Sequence, residues 1–382
     1  MAAGLALFSM FFGAGDLIWP LILGGATGDK SVFSMLGLLV TGVSLPLLGL
    51  VSMLLFHGNY RAFFNRLGKV PGFILLLVIQ LILGPIGSIP RLFTLSHSTV
   101  APYFPDISLM WFSIIASILV FAFVVRKQKI IEILGLVLTP MLLLTLGSIL
   151  FLGFWNLPTA PSNAMSAFCA FKEGAGVGYN TLDLIASFIF APLVLSHFIP
   201  VENGVVTKQA VKKMFQASLI AAALLSIIFI GLTLIAGHYT QVLPPHAREE
   251  RLAAISLYLM GPKGAMFSCI AVAMACLTTA IPLVTIAADY VKNDLLGRFG
   301  DKLPGGNTLP ALLVLGVSAA LANLGFMGIA NMLSPILQVL CPGLIILAVL
   351  NILHKMFGLN WSRAPVYAAF AISTVSHILN VA

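Results

Sequence analysis

Short polar breaks divide this chain into eleven long apolar stretches, at residues 2–26, 31–56, 71–95, 107–125, 130–155, 176–199, 214–237, 265–291, 309–327, 329–353 and 364–382. A helix needs about 20 apolar residues to cross the hydrocarbon core of a bilayer, and each stretch is close to that length or longer. The pattern predicts an all-α polytopic membrane protein with about 11 transmembrane helices in one transmembrane domain, residues 1–382. Composition agrees. Charged residues make up 8% of the chain and apolar residues 60%, with a mean hydropathy of +1.07. A soluble domain carries about 25% charge, so a soluble enzyme, a disordered chain and a small disulfide scaffold are excluded.

The net charge of +8 does not point to nucleic acid, because no basic run is interleaved with polar sequence. It points to orientation instead, since cytoplasmic loops carry the excess of Lys and Arg. With the N-terminus inside, 14 of the 20 basic residues fall in cytoplasmic loops: Arg61, Arg66, Lys69, Arg126, Lys127, Lys129, Lys208, Lys212, Lys213, Lys292, Arg298, Lys302, Lys355 and Arg363. The outer loops hold 5, namely Lys30, Lys172, Arg248, Arg251 and Lys263. This alternation supports the span count as well as the direction. No soluble domain is expected at either end. No cleavable signal is expected either, since the first apolar run has no charged lead and continues too far. The four Cys form no C-x-x-C pair and the seven His are scattered singly, so neither a disulfide framework nor a metal centre is expected.

The breaks inside apolar stretches are where chemistry is expected, because unwound backbone in a membrane must line a cavity or face protein. The first stretch reads GLALFSMFFGAGDLIWPLILGG (4–25), with Gly13, Ala14, Gly15 and the acid Asp16 near its middle. An acid at mid-bilayer costs about 2.5–3.5 kcal/mol on insertion scales. The segment predicts a helix broken at 13–15 and a second half-helix beginning near Asp16, its amides suited to an anionic group. The sixth stretch carries the acid Asp183, then Ser187, then Pro192. Stretches one and six lie five spans apart and so run in opposite directions, which points to an inverted repeat with a binding site between its halves. Repeat one would cover about 1–155 and repeat two about 176–353, with 364–382 a peripheral helix.

The third stretch contains GPIGSIPR (84–91). Arg91 has two readings: a partner of Asp16 or Asp183 guarding the external entrance, or a side chain reaching the outer headgroups. The eighth contains ACLTTAIP (275–282), where Thr278 and Thr279 hydroxyls with free carbonyls would suit a hard cation. The alternative is Thr back-bonding to the preceding turn. Asp289 and Glu132 read as interfacial acids beside Lys292 and the 126–129 basic run. The outer loop 154–177 is rich in Gly, Ala, Ser and Pro, and 247–260 reads equally as a surface helix or as a connecting loop.

FGAGDLIWP (12–20), GPIGSIPR (84–91), GYNTLDLIASFIF (178–190) and LTTA (277–280), in this order and spacing, resemble the branched-chain amino acid:cation symporters, bacterial carriers of leucine, isoleucine and valine. The resemblance implies the five-plus-five inverted-repeat fold of amino acid–sodium symporters, with helices 1 and 6 broken. It implies a secondary active importer in the bacterial inner membrane, not an enzyme, with an exchanger or exporter on the same fold as the alternative. The substrate site it implies comprises Gly13, Ala14, Gly15 and Asp16, with Ser187 and Phe188 around the aliphatic tail and Ser88 on the wall. The cation site it implies uses Thr278 and Thr279 with carbonyls near Ala275, Phe8 and Phe11. Arg91 and Asp183 remain the gate or charge partners. No cofactor is implied beyond a coupling sodium ion or proton, and the partners are the lipid bilayer and the amino acid. This chain carries Asp16 where the family usually has Asn, and Leu21 where it usually has a second Pro.

Overall fold

An apolar chain in lipid can satisfy its backbone only from within, and every regular element among the described residues of the computed structural model is helical. Those residues are 2–101, 103–125, 134–155, 157–198, 208–240, 250–297, 306–359 and 363–381. Arg126, Lys127, Lys129, Glu132, Arg248, Arg298 and Lys302 lie outside them. In chain order the helices are α1 (Ala2–Phe11), α2 (Ala14–Thr27), α3 (Ser31–Leu39), α4 (Leu45–Leu55), α5 (Tyr60–Phe64), α6 (Lys69–Leu83), α7 (Ser88–Val100), α8 (Leu109–Val124) and α9 (Thr139–Trp155). They continue as α10 (Ala167–Val177), α11 (Asp183–Phe198), α12 (Lys208–Tyr239), α13 (Arg251–Met260), α14 (Pro262–Tyr290), α15 (Thr308–Ala322), α16 (Gly325–Phe357) and α17 (Arg363–Val381). Among the described residues, six helical runs are long and apolar enough to cross a membrane, or up to seven when the bent pair at 167–196 counts as one span. Where described, the eleven apolar stretches are helical apart from interior breaks at 12–13, 84–87, 182 and 323–324 and residues at their ends.

Two groups of helices emerge from the packing. In the first, α1 and α2 pack on α12, α3 packs on α10, and α4 packs on α11. In the second, α14 packs on α7, α8 and α15, and α15 packs on α8. The α3–α10 contact is a close backbone approach. A side chain at Gly37 would run into the Phe171 carbonyl, and one at Gly174 into that of Ser34. Small residues at such crossings let helices in lipid approach to van der Waals distance.

That contact corrects the sequence reading of the sixth span. The stretch 154–177 contains helix α10, and a short 3-10 turn at Gly178–Thr181 joins it to α11 with a bend of 41°. The span therefore starts about Ala167, not at 176. Its first half was hidden because small residues and the Lys172–Glu173 pair dilute its hydropathy. The surface-helix reading of 247–260 holds from Arg251 onward. There α13 packs on α14 and buries Leu252, Ala254, Ile255 and Ser256.

Polar contacts gather the loops by face. Asp294, just beyond α14, accepts from Arg61 Nε at 2.7 Å and from the Tyr60 hydroxyl at 3.1 Å. Burial and the Asp294 carboxylate push the Tyr60 phenol up to about 12, so it remains a donor. The Tyr367 hydroxyl donates to the Leu67 carbonyl at 2.9 Å, in the same loop region. The other loops form a separate cluster. The Asn163 amide donates to Asp29 at 2.9 Å, and Arg251 donates to the Leu21 carbonyl at 3.2 Å. Asp289 accepts a hydrogen bond from Asn307.

Candidate functional site: two broken helices around a charged cluster

The first span breaks at Phe12–Gly13, between α1 and α2. The half-helix thus starts at Ala14, two residues before the expected position. Asp16 occupies its first turn, and its Oδ2 accepts from the Gly13 N–H at 2.8 Å. An acid there complements the positive end of the helix dipole and caps an amide that would otherwise have no partner. Gly15 is required sterically. A side chain on it would lie 3.0 Å from the Thr181 carbonyl and 3.1 Å from Thr181 Cα. The break in span one is thereby pressed directly against the break in span six.

Span six breaks at Leu182, and Pro192 lies inside α11. Leu182 has φ +74°, the left-handed region that disfavours a branched L side chain by about 1–2 kcal/mol. Strain of this kind persists where the surroundings dictate the backbone, and it concentrates at functional breaks. Asp183 follows at once as the first residue of α11.

Three charged side chains meet at these breaks. Asp16 and Asp183 are each 1% exposed and Arg91 is 2% exposed. Asp16, Asp183 and Arg91 are electrostatic neighbours of one another. Arg91 also donates from Nη1 to the Asn180 carbonyl at 3.1 Å, and its guanidinium lies 5.6 Å from the centre of the Phe326 ring. The Trp19 indole donates to the same Asn180 carbonyl at 2.9 Å. The unwound backbone of span six is thus held by α2 and α7 together. Such burial excludes the headgroup-seeking reading of Arg91.

The oxygens near Thr279 form a second cluster. Its hydroxyl lies 3.2 Å from the Ser9 carbonyl and 3.1 Å from the Phe12 carbonyl, spanning the end of α1. The Thr278 hydroxyl instead donates to the Ala275 carbonyl at 3.0 Å, back-bonding to the preceding turn of its own helix. Thr279 thus reaches the Ser9 and Phe12 carbonyls, each one residue on from the expected Phe8 and Phe11. The Phe8 carbonyl is engaged by the Phe12 N–H at 2.8 Å, and the Phe11 ring packs on Phe190 at 5.4 Å.

Other expected residues stand apart from the breaks. Ser187 donates to the Leu184 carbonyl at 2.7 Å and faces Gly49 of α4. Phe188 packs on Phe63 and Phe64, with ring centres at 5.3 and 5.9 Å. The structure does not bring either to the Gly13–Asp16 segment. Ser88 is half-buried at the start of α7. It shares a helix face with Arg91 and Leu92, but it is Leu92 that reaches Gly13. Asn180, Trp19, Phe326, Ser9 and Phe12 were missed in the sequence. The signal for Asn180 and Trp19 was present in the polar and aromatic residues flanking the two acids.

The family model described as "Branched-chain amino acid transport protein" matches residues 1–382. The branched-chain amino acid permease BraB of Bacillus subtilis (strain 168) is 31% identical over 97% of this chain and 83% of its own length. The permease BrnQ of the same organism is 30% identical over 93% and 81%. Among solved structures, Mhp1, a nucleobase-cation-symport-1 family transporter in a closed conformation with bromovinylhydantoin bound, matches with a TM-score of 0.64. That match has 13% identity and covers 99% of this chain and 90% of that one. A sodium-coupled sialic acid symporter in a substrate-bound outward-open state matches with a TM-score of 0.59 at 11% identity, covering 99% and 87%. At such identities these likenesses show the fold alone, that of broken-helix membrane transporters. The chain is a multi-pass membrane transport protein rather than an enzyme, and it belongs to the family of branched-chain amino acid transport proteins.

Proposed function

We propose that this chain is a cation-coupled secondary transporter that imports leucine, isoleucine and valine across a bacterial inner membrane, with its N-terminus cytoplasmic. The observation that carries the reading is the meeting of two broken helices around buried Asp16, Asp183 and Arg91. A zwitterion crossing an apolar protein needs such a place. Its carboxylate would be received by the first-turn amides of α2, at Ala14, Gly15 and Asp16, where helix geometry leaves N–H groups without partners. Arg91 would offset the repulsion between that carboxylate and Asp16. Leu92 and neighbouring apolar side chains would surround the aliphatic tail, and the names of the Bacillus relatives favour a branched one.

Coupling to sodium is supported by uncharged oxygens gathered between α1 and α14: the Thr279 hydroxyl and the carbonyls of Ser9 and Phe12. Hard cations take oxygen ligands of this kind. A cation there would bind α1 to α14 and order the adjoining break. The sequence has no P-loop, so an ion gradient is the energy source. Movement would follow the two packing groups, with α1–α4 and α10–α12 rocking against α7, α8, α14 and α15. The 14 to 5 division of basic residues supports the orientation.

The test is leucine counterflow by the purified protein in liposomes preloaded with unlabelled leucine. Isoleucine and valine are expected to compete, and lysine and glutamate are not. Equal competition by all four would reject the branched-chain assignment. Counterflow without net gradient-driven uptake would favour an exchanger.

A further inference from the structure

We propose that an acyl chain of a bilayer phospholipid binds in a cavity between α7, α8 and α14, so that lipid is a ligand of this protein as well as its solvent. The inference requires only that the chain spans a bilayer. The cavity has a volume of about 190 Å³, and its wall runs from Leu92 to Val100 on α7, from Phe112 to Val120 on α8 and from Ala273 to Ala280 on α14. At 1.5 Å of rise per residue, the α7 and α8 walls are each about 12 Å long, so the cavity extends along the helix axes.

The chemistry of the wall selects the occupant. Ser96 and Cys276 are the polar side chains in it, and the others are aliphatic or aromatic. A buried thiol behaves as a small hydrophobe, and one hydroxyl cannot supply the several partners that an ordered water needs. Protein interiors are close-packed, and voids larger than a water are few. A cavity of this size and lining therefore takes hydrocarbon.

Its rim identifies which hydrocarbon. Ile115 and Leu119 line the cavity and are themselves exposed, on the same face of α8 as Trp111 and Ile118. An exposed apolar face on a membrane-spanning helix is covered by lipid tails, so the cavity is continuous with the lipid-facing surface. Depth agrees. Tyr103, Phe104 and Trp111 are exposed around the α7–α8 connection, and Trp and Tyr favour the headgroup level. Val120 lies nine residues beyond Trp111, about 14 Å along the helix. Half the hydrocarbon core is about 15 Å thick. A phospholipid in the leaflet on the side of that connection reaches the whole cavity with its chain.

The innermost wall adjoins the candidate site. α14 turns Cys276 and Ala280 toward the cavity and Thr279 toward the end of α1, while Leu92 lines the cavity and reaches Gly13. The acyl chain thus packs behind the side chains that face the first break.

Photolabelling tests this directly. The full chain is reconstituted in phosphatidylglycerol liposomes with a trace of the same lipid carrying a diazirine midway along one acyl chain, then irradiated and mapped by peptide mass spectrometry. Phe93, Val120 and Cys276 are 3%, 1% and 5% exposed, out of reach of lipid at the surface. Adducts are expected on these three as well as on exposed Ile118. Adducts on exposed residues alone would overturn the proposal. Ala116→Phe and Ala273→Phe fill the cavity from different helices. Each is expected to lower labelling of Cys276 at least tenfold relative to Ile118 in the same sample. Undiminished labelling of Cys276 in both folded variants would overturn the proposal, and so would labelling by a diazirine fatty acid that the phospholipid does not reproduce.

Discussion

Arg91→Ala is expected to reduce branched-chain amino acid uptake about 100-fold or more. The guanidinium is sealed within the protein, acts on both Asp16 and Asp183, and holds the unwound Asn180 carbonyl at 3.1 Å. Removing one partner from a buried charged group costs about 3–5 kcal/mol, because the remaining charges stay behind unneutralised. At about 1.4 kcal/mol per tenfold, that range corresponds to 100-fold or more. Arg91→Lys should recover part of the loss. It restores the charge but not the planar fork that reaches Asn180 while lying against Phe326. Initial rates of tracer uptake, normalised to protein in the membrane, decide the matter. Uptake by Arg91→Ala within a few-fold of the unaltered protein would remove Arg91 from the site.

Thr279→Val should raise the sodium concentration for half-maximal uptake about tenfold while maximal uptake is largely kept. The substitution preserves shape and removes one hydroxyl. That hydroxyl lies 3.2 and 3.1 Å from the Ser9 and Phe12 carbonyls, so it belongs to the oxygen cluster and also ties α1 to α14. Each lost hydrogen bond is worth about 0.5–1.5 kcal/mol, and one cation ligand is lost as well, which together reach at least the 1.4 kcal/mol of a tenfold change. A fall in maximal rate with the sodium dependence unchanged would place the cation elsewhere.

Much of this site was legible in the sequence because the bilayer makes polar residues costly. Asp16, Asp183 and Arg91 stood out as the charges inside apolar stretches, and the structure brings all three to one cluster. The break before Asp16 was legible from glycine beside an acid, to within two residues. What escaped depends on contacts between spans. Helix α10 was concealed because Gly174 and its neighbours are small, and close backbone packing leaves no trace in hydropathy. The break at Leu182 has no glycine or proline to mark it, since tertiary contacts alone impose its left-handed backbone. Ser187 and Phe188 lie four and five residues from Asp183 in sequence, but helical rotation turns them toward Gly49 and toward Phe63 and Phe64. That Thr279 bonds the Ser9 and Phe12 carbonyls, rather than those of Phe8 and Phe11, is a question of register, set by where α1 ends.

An ion gradient is expected to drive branched-chain amino acids through this chain. The most direct measurement is radiolabelled leucine uptake by the purified protein in liposomes, with sodium and pH gradients imposed separately. Transient accumulation above the external concentration is expected when an inward cation gradient is present, and simple equilibration when both gradients are absent. Equal uptake with and without any cation gradient would contradict it.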